Sequence, residues 1–340
     1  MKYSGIIFKV IYLKIVIPDD YPPVISGTKH LERLKELGEV RLYASRPRDQ
    51  EELIRRIKDA DIVVNIRSYC RFPREVLGKA ESLKLLSIWG TGTDNVDLIA
   101  ARDLGIPVTT TPGTATESVA EHTLALMLAT ARRIPQIDRQ VKEGKWVRGL
   151  VTQLSGKTVG IIGTGLIGCR FAKLAKGIGM NVVAWTLHPS DEKARTLGFS
   201  YVSLEQLLSE SDVVSIHLRL SDKTKGLVGR KELSVMKASA FLINTARGAI
   251  VDKEALMEAL KNGKIACAGL DVFDKEPIDP DDPILKLDNV ILTPHSAGQT
   301  PEVLDRGVGM AVDNVANFLS GKLTNVVNTP LGPSRHKAQL

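Results

Sequence analysis

Two periodicities alternate along this chain. Short runs of apolar, often β-branched residues occur at 13–17, 40–43, 62–66, 85–88 and 108–110, and each reads as a buried strand. Between them apolar residues recur every three or four positions. Leu31, Leu34 and Leu37 share one face of a helix over 30–37, and Leu53, Ile54 and Ile57 share one face of a helix over 51–60. Strands alternating with helices predict a parallel sheet in an α/β fold.

After Pro112 and Gly113 the pattern changes to a segment dense in Ala and Leu, which predicts one long helix over 118–133 joining two domains. A second β/α series follows, with strands at 158–162, 182–185, 213–218, 241–244, 268–272 and 290–292. Six strands make a full dinucleotide-binding sheet. The last helix, over 301–319, offers Val303, Val308, Val312, Val315, Phe318 and Leu319 for burial. Its place after the second sheet implies that the chain crosses back to the first domain.

Length supports this division, because a chain of 340 residues with 43% apolar content exceeds what one core usually holds. The apolar run at 6–17 contains Lys9 and Lys14 and leads into Pro18, Asp19 and Asp20. It is too short for a membrane span, lacks a signal-peptide cleavage site, and reads as a leader followed by the first strand. Cys70, Cys169 and Cys267 are widely spaced, with no CxxC pair, which fits a reducing cytoplasm and no metal site. The net charge of +7 is scattered and aromatic residues make up only 5%, which argues against nucleic acid as a partner. The excess positive charge suits anionic small molecules.

The stretch TVGIIGTGLIGC carries candidate chemistry. An apolar strand runs straight into Gly163, Gly165 and Gly168 and then into a helical pattern. The first glycine permits a tight turn, the second lets backbone approach a pyrophosphate, and the third lets helix pack on strand. The phosphates would meet the helix N-terminus at Leu166 and Ile167. An NAD site should carry Asp or Glu at the end of the second strand, but that strand ends in Trp185 and Thr186. Thr186, His188 and Arg219 could instead donate to a 2′-phosphate, so the cofactor is NAD or NADP, with NADP accepted at least as well. Arg219 could equally be a solvated surface charge. His217, at a strand end in the adenosine half, is a cofactor-edge or structural residue, and His122 in the long helix reads as structural.

Three further segments each follow a strand of the second sheet: NTARG with Arg247, GLDVFDKEP with Asp271 and Glu276, and LTPHSAG with His295. Ligands of open α/β sheets bind beyond the carboxyl ends of the strands. A guanidinium there can hold the carboxylate and carbonyl of a 2-keto acid with paired hydrogen bonds. An imidazole can protonate the oxygen as hydride reaches the carbon, and a carboxylate on its other nitrogen orients the ring. Arg247, His295 and Glu276 take these roles. Asp271 is expected at the nicotinamide carboxamide, and Thr245 and Ala246 beside the cofactor.

Together the chain resembles the D-isomer-specific 2-hydroxyacid dehydrogenases, on its glyoxylate/hydroxypyruvate reductase-like branch. The resemblance rests on GTGTDNVDL, TPGTATESVAEHTLALML, VGIIGTGLIG, MKASAFLINTARGAIVD, AGLDVFDKEP and ILTPHSAG and covers nearly the whole chain. It implies a discontinuous flavodoxin-like substrate domain, 1–113 with 297–340, and an inserted Rossmann-type cofactor domain, 114–296. It further implies a cleft that closes on substrate, a homodimer joined through the cofactor domains, and Arg247, Glu276 and His295 as the catalytic set. Backbone amides around Trp89, Gly90 and Thr91 would receive the substrate carboxylate, with Arg67 and Ser68 across from them and Tyr69, Cys70 and Arg71 shaping the pocket.

Departures from the family pattern narrow the expectation. Where phosphoglycerate dehydrogenases usually carry Arg, this chain has Ile88 and Trp89, which favours a small unphosphorylated substrate such as glyoxylate, hydroxypyruvate or pyruvate. The chain ends about twenty residues after the last helix, implying no regulatory domain. Glu276, where formate dehydrogenases have Gln, speaks against that branch, and Ala115 replaces the family's usual Asn. Two alternatives stay open: phosphoglycerate dehydrogenase, and an NAD(H)-sensing protein of the C-terminal-binding-protein corepressor type.

Overall fold

A computed structural model describes residues 13–66 and 69–329. The leader assigned to residues 6–12 and the substrate contacts assigned to Arg67 and Ser68 lie outside them. The chain falls into two compact units, one holding the described residues up to Thr114 and from Thr300 onward, the other Ala115–Gln299.

The first unit is built on β1 (Lys14–Ile17), β2 (Glu39–Leu42), β3 (Ile62–Asn65), β4 (Leu85–Ile88) and β5 (Val108–Thr109). All pair in parallel in the order β2-β1-β3-β4-β5, a flavodoxin-like order. The connecting helices are α1 (Lys29–Leu37), α2 (Gln50–Ile57), α3 (Arg74–Lys79) and α4 (Leu98–Asp103). Helices cover both faces, so the strands are apolar on both sides. Ile15, Ile17, Ile62 and Val64 enter one core, and Val16, Val63, Leu86 and Ile88 the other.

The second unit opens with α5 (Thr116–Arg132) and α6 (Ile134–Lys142). α5 matches the helix expected over 118–133 and ends where Arg133 adopts φ 53°; α6 beyond it was not expected from the sequence. The sheet contains β6 (Thr158–Ile162), β7 (Asn181–Trp185), β8 (Ser200–Tyr201), β9 (Val213–Ile216), β10 (Phe241–Asn244), β11 (Cys267–Leu270) and β12 (Val290–Leu292). Between them run α7 (Leu166–Gly177), α8 (Asp191–Leu197), α9 (Leu204–Glu210), α10 (Arg230–Val235) and α11 (Lys253–Lys261). The strand order is β12-β11-β10-β9-β6-β7-β8, one strand more than the sequence predicts. The extra strand, β8, has only two residues, too few to show a period.

The final helix, α12 (Pro301–Leu319), belongs to the first unit, packs against α1 and β4 and buries Val303, Val308, Val312 and Val315. Phe318 and Leu319 remain only partly buried.

Candidate active site

In the second sheet the order reverses between β6 and β9, which are hydrogen-bonded neighbours. Such a switch point opens a crevice at the carboxyl ends of the strands. There β6 turns into Gly163, whose φ of 104° lies where L side chains rarely go. A Cβ on Gly168 would stand 2.0 Å from the Gly163 carbonyl oxygen, so only glycine lets α7 start this close to the strand. Gly165 is different. It caps α7 without a side-chain hydrogen bond, and a Cβ built on it meets nothing within 4 Å. Open space in front of first-turn amides, which lack intrahelical partners, fits the pyrophosphate of a dinucleotide.

His217 forms the wall beneath this loop. Its carbonyl faces Gly163 and its Cβ faces Gly168, and its ring lies 5.1 Å from Phe171. Nε2 meets Ser215 Oγ at 2.9 Å, and burial pushes the imidazole down to about 3, so it stays neutral. Thr186 is half-buried and Arg219 exposed just past their strands. The sequence reading missed Lys193, whose Nζ reaches from α8 to the Thr164 carbonyl at 3.2 Å. A lysine on an exposed helical face gives no sign of this in sequence.

On the other side of the switch point, the turn after β10 carries Thr245, Ala246 and Arg247. Asn244 braces it, accepting from the Ala246 amide at 3.0 Å and donating to the Arg247 carbonyl at 2.9 Å. Thr245 is buried, with its hydroxyl 2.8 Å from that of Thr123 on α5. A Cβ on Gly248 would lie 2.2 Å from the Phe273 carbonyl carbon, so this turn presses directly on the segment bearing Glu276.

Glu276 and His295 form the centre of the cluster. Glu276 Oε1 accepts from the Phe273 amide at 3.0 Å, and Oε2 meets His295 Nδ1 at 2.6 Å. Burial raises the Glu276 carboxyl, but the His295 hydrogen bond and charge, the Phe273 amide and the nearby Arg247 charge together hold it below its usual value. With Nδ1 committed to Glu276, the opposite nitrogen of the ring, which is 40% exposed, points away from that carboxylate. His295 takes φ 51°, an unusual conformation for a bulky residue that needs its surroundings to hold it.

Asp271 supplies that support. It is only 1% exposed and accepts from Thr293 Oγ1 at 2.6 Å, Ser296 N at 2.9 Å and Ala297 N at 3.0 Å. Burial raises its carboxyl, but bonds from His122, Thr293 and the two amides outweigh it and hold it low. The carboxylate expected at the nicotinamide carboxamide is thus turned inward onto the loop that carries His295.

Residues 124–297 match the D-isomer specific 2-hydroxyacid dehydrogenase NAD binding domain. A glyoxylate reductase of Korarchaeum cryptofilum is 41% identical over 88% of this chain and 92% of its own length. A D-3-phosphoglycerate dehydrogenase of Archaeoglobus fulgidus is 45% identical over 83% of this chain, which spans only 54% of that relative. The crystal structure of a D-lactate dehydrogenase from Aquifex aeolicus complexed with NAD and lactic acid superposes with a TM-score of 0.83. It is 33% identical, covering 94% of this chain and 100% of its own. The chain belongs to the D-isomer specific 2-hydroxyacid dehydrogenase family.

In this family member the first unit corrects several expectations. The amides of Trp89 and Gly90 already donate, to Asn65 O at 2.9 Å and Thr111 Oγ1 at 2.8 Å, so neither is free for a substrate carboxylate. Thr91, beside them, is exposed. The Trp89 indole packs against Gly307 of α12. Cys70 lies in the core rather than in a pocket wall, and burial pushes its thiol up to about 12. Tyr69 is exposed and stacks under the Arg46 guanidinium at 3.7 Å. Buried Arg56, missed in sequence, ties together the loops after β1 and β2 by donating to Pro18 O at 2.7 Å and Ser45 O at 2.5 Å. Among the described residues no helix is long and apolar enough to cross a membrane, and no His, Cys, Asp or Glu cluster could hold a metal ion.

Proposed function

We propose that this protein reduces a small, unphosphorylated 2-keto acid to the D-2-hydroxy acid with a reduced nicotinamide dinucleotide, and that it runs the reverse oxidation as well. The observation that carries this reading is the 2.6 Å His295–Glu276 pair, set with Arg247 in the same unit as the glycine loop. The Arg247 guanidinium holds the carboxylate and carbonyl oxygens of the keto acid. The glycine loop, Gly163 to Gly168, would hold a reduced nicotinamide dinucleotide, which would supply the hydride for the carbonyl carbon. His295 gives its proton from Nε2 to the carbonyl oxygen as that oxygen gains charge, and Glu276 keeps the ring oriented and stabilises its charged form. One keto acid, one reduced cofactor and one proton become one hydroxy acid and one oxidised cofactor. Residues 1–113 with 297–340 form the substrate domain in our reading, and Thr91, Arg67 and Ser68 are its candidates for substrate contacts.

Ile88 is buried and the Trp89 indole is packed on α12, which leaves no cation in this stretch for a phosphate. Glyoxylate, hydroxypyruvate and pyruvate are therefore the substrates favoured over 3-phosphohydroxypyruvate. NADPH should serve at least as well as NADH, because β7 ends without a carboxylate and Lys193 places an ammonium beside the loop. The protein works as a homodimer. None of α6 is buried, and Ile137, Val141, Trp146 and Leu150 stand exposed on and after it, an apolar surface that a second copy would cover. Its three free thiols suit the cytoplasm.

The test is absorbance at the reduced-nicotinamide band with glyoxylate, hydroxypyruvate, pyruvate and 3-phosphohydroxypyruvate, each with NADH and NADPH. Turnover confined to the phosphorylated acid would overturn the substrate assignment. Tight cofactor binding with no turnover of any acid would point to a sensor instead of an enzyme.

A further inference from the structure

The polar face of α5 is not used by the mechanism above, yet it grips the loop that carries His295. Ser118 and His122 are one helical turn apart. Ser118 Oγ donates to the Ala297 carbonyl at 2.6 Å. His122 Nε2 lies 3.0 Å from Thr293 Oγ1 and 3.5 Å from Asp271 Oδ1. The Thr293 hydroxyl has one proton, which it gives to Asp271 Oδ1 at 2.6 Å. Thr293 therefore meets His122 as an acceptor, and His122 carries its hydrogen on Nε2. A directed relay runs from His122 through Thr293 to Asp271, whose oxygens hold the amides of Ser296 and Ala297.

Between those anchors sits His295, with its backbone in the left-handed region and its amide bonded to the Asp271 carbonyl at 2.8 Å. The loop is held against its own backbone preference, so the aim of the imidazole depends on how firmly the anchors are set. We infer that His122 is a positioning residue: through Thr293 and Asp271 it fixes the loop 293–297 and thereby the alignment of His295 with Glu276. This rests on the catalytic role proposed for His295. The seating of α5 does not need His122, because Ala120, Leu126, Met127 and Ala131 bury the helix in the core. The charged group facing His122 is Asp271, and those acting on Glu276 are His295 and Arg247.

The experiment compares His122→Phe, His122→Gln and Thr293→Val with the parent protein. It reads kcat, KM, cofactor Kd, the acid limb of the kcat/KM profile, and the downfield proton resonance of the His295–Glu276 hydrogen bond in the cofactor-free protein. His122→Phe should lower kcat about tenfold, the loss expected from weakening one hydrogen bond to a charged group, while cofactor Kd changes by less than about twofold. A loosened Glu276 carboxylate protonates more readily, so the acid limb moves to higher pH and the downfield resonance shifts upfield or broadens. Gln, which can still donate to Thr293, should restore most of each readout, and Thr293→Val should reproduce the Phe result. A lower melting temperature with limb and resonance unmoved would reduce His122 to a structural part and overturn the inference. Should His122→Phe fail to fold, Thr293→Val and His122→Gln decide by the same criteria. Full activity in His295→Ala would sink the catalytic reading itself, whereas an inactive His295→Ala beside unaffected His122 and Thr293 variants would sink this inference alone.

Discussion

The glycine loop allows stability and cofactor binding to be separated with two single methyl groups. At Gly168 an added Cβ would lie 2.0 Å from the Gly163 carbonyl oxygen and 3.3 Å from His217 Cβ. Carbon and oxygen approach to roughly 3.3 Å at contact, so α7 and the turn would have to part by more than about 1 Å. Both obstacles nearest the new methyl belong to well-packed structure, and such overpacking costs about 1–3 kcal/mol. In a unit the size of Ala115–Gln299, that corresponds to a fall in melting temperature of roughly 2–10 °C. At Gly165 the backbone has φ −72° and a Cβ has nothing within 4 Å. Alanine there should leave the protein as stable as before. If the pyrophosphate lies over Gly165, the methyl displaces it and removes at least one charge-assisted hydrogen bond, worth about 1.5–3 kcal/mol. The dissociation constant would then rise roughly 10- to 150-fold. Melting curves of the free protein and fluorescence titration with reduced cofactor measure the two effects. Wild-type cofactor affinity in Gly165→Ala would refute the placement of the phosphates. An undiminished melting temperature in Gly168→Ala would refute the packing argument.

Other expectations follow from the same geometry. His295→Ala should lower kcat for keto-acid reduction by about 10² to 10⁴ with cofactor Kd nearly unchanged, as steady-state kinetics and a binding titration would show. The Glu276 carboxyl is held below its usual value. Its pairing with His295 is therefore complete above the ordinary carboxylate range, about 4.3, and is lost only as pH falls through the lowered value. The acid limb of kcat/KM should lie below that range, and a limb above it would contradict the pairing. Lys193→Met should weaken binding of 2′,5′-ADP about tenfold, the worth of one charged hydrogen bond, and leave 5′-ADP unaffected by calorimetry; equal effects on both would remove Lys193 from the 2′-phosphate. If two copies pair through this face as proposed, Trp146→Glu should sediment as a monomer where the parent protein sediments as a dimer, because a charge would replace an indole that is 77% exposed in the single chain; a monomeric parent would remove the proposal.

Features that depend on neighbours in the chain were legible before any coordinates. The glycine loop is one: strand, turn and helix follow one another within a dozen residues, and the φ of Gly163 and the close approach at Gly168 are local necessities. Arg247, Glu276 and His295 were legible for a related reason. Each stands just after a strand, and parallel topology carries every such segment to the same sheet edge. What remained hidden is where individual donors and acceptors go. Nothing in sequence shows that Asp271 spends its oxygens on residues more than twenty positions away. Nor does it show that the Trp89 and Gly90 amides are taken, that α8 returns Lys193 to the loop, or that the chain runs on from Arg133 into a second helix, α6. Periodicity records which face of an element is buried. A hydrogen bond forms with whatever the fold brings within about 3 Å, and only the packed chain determines that partner.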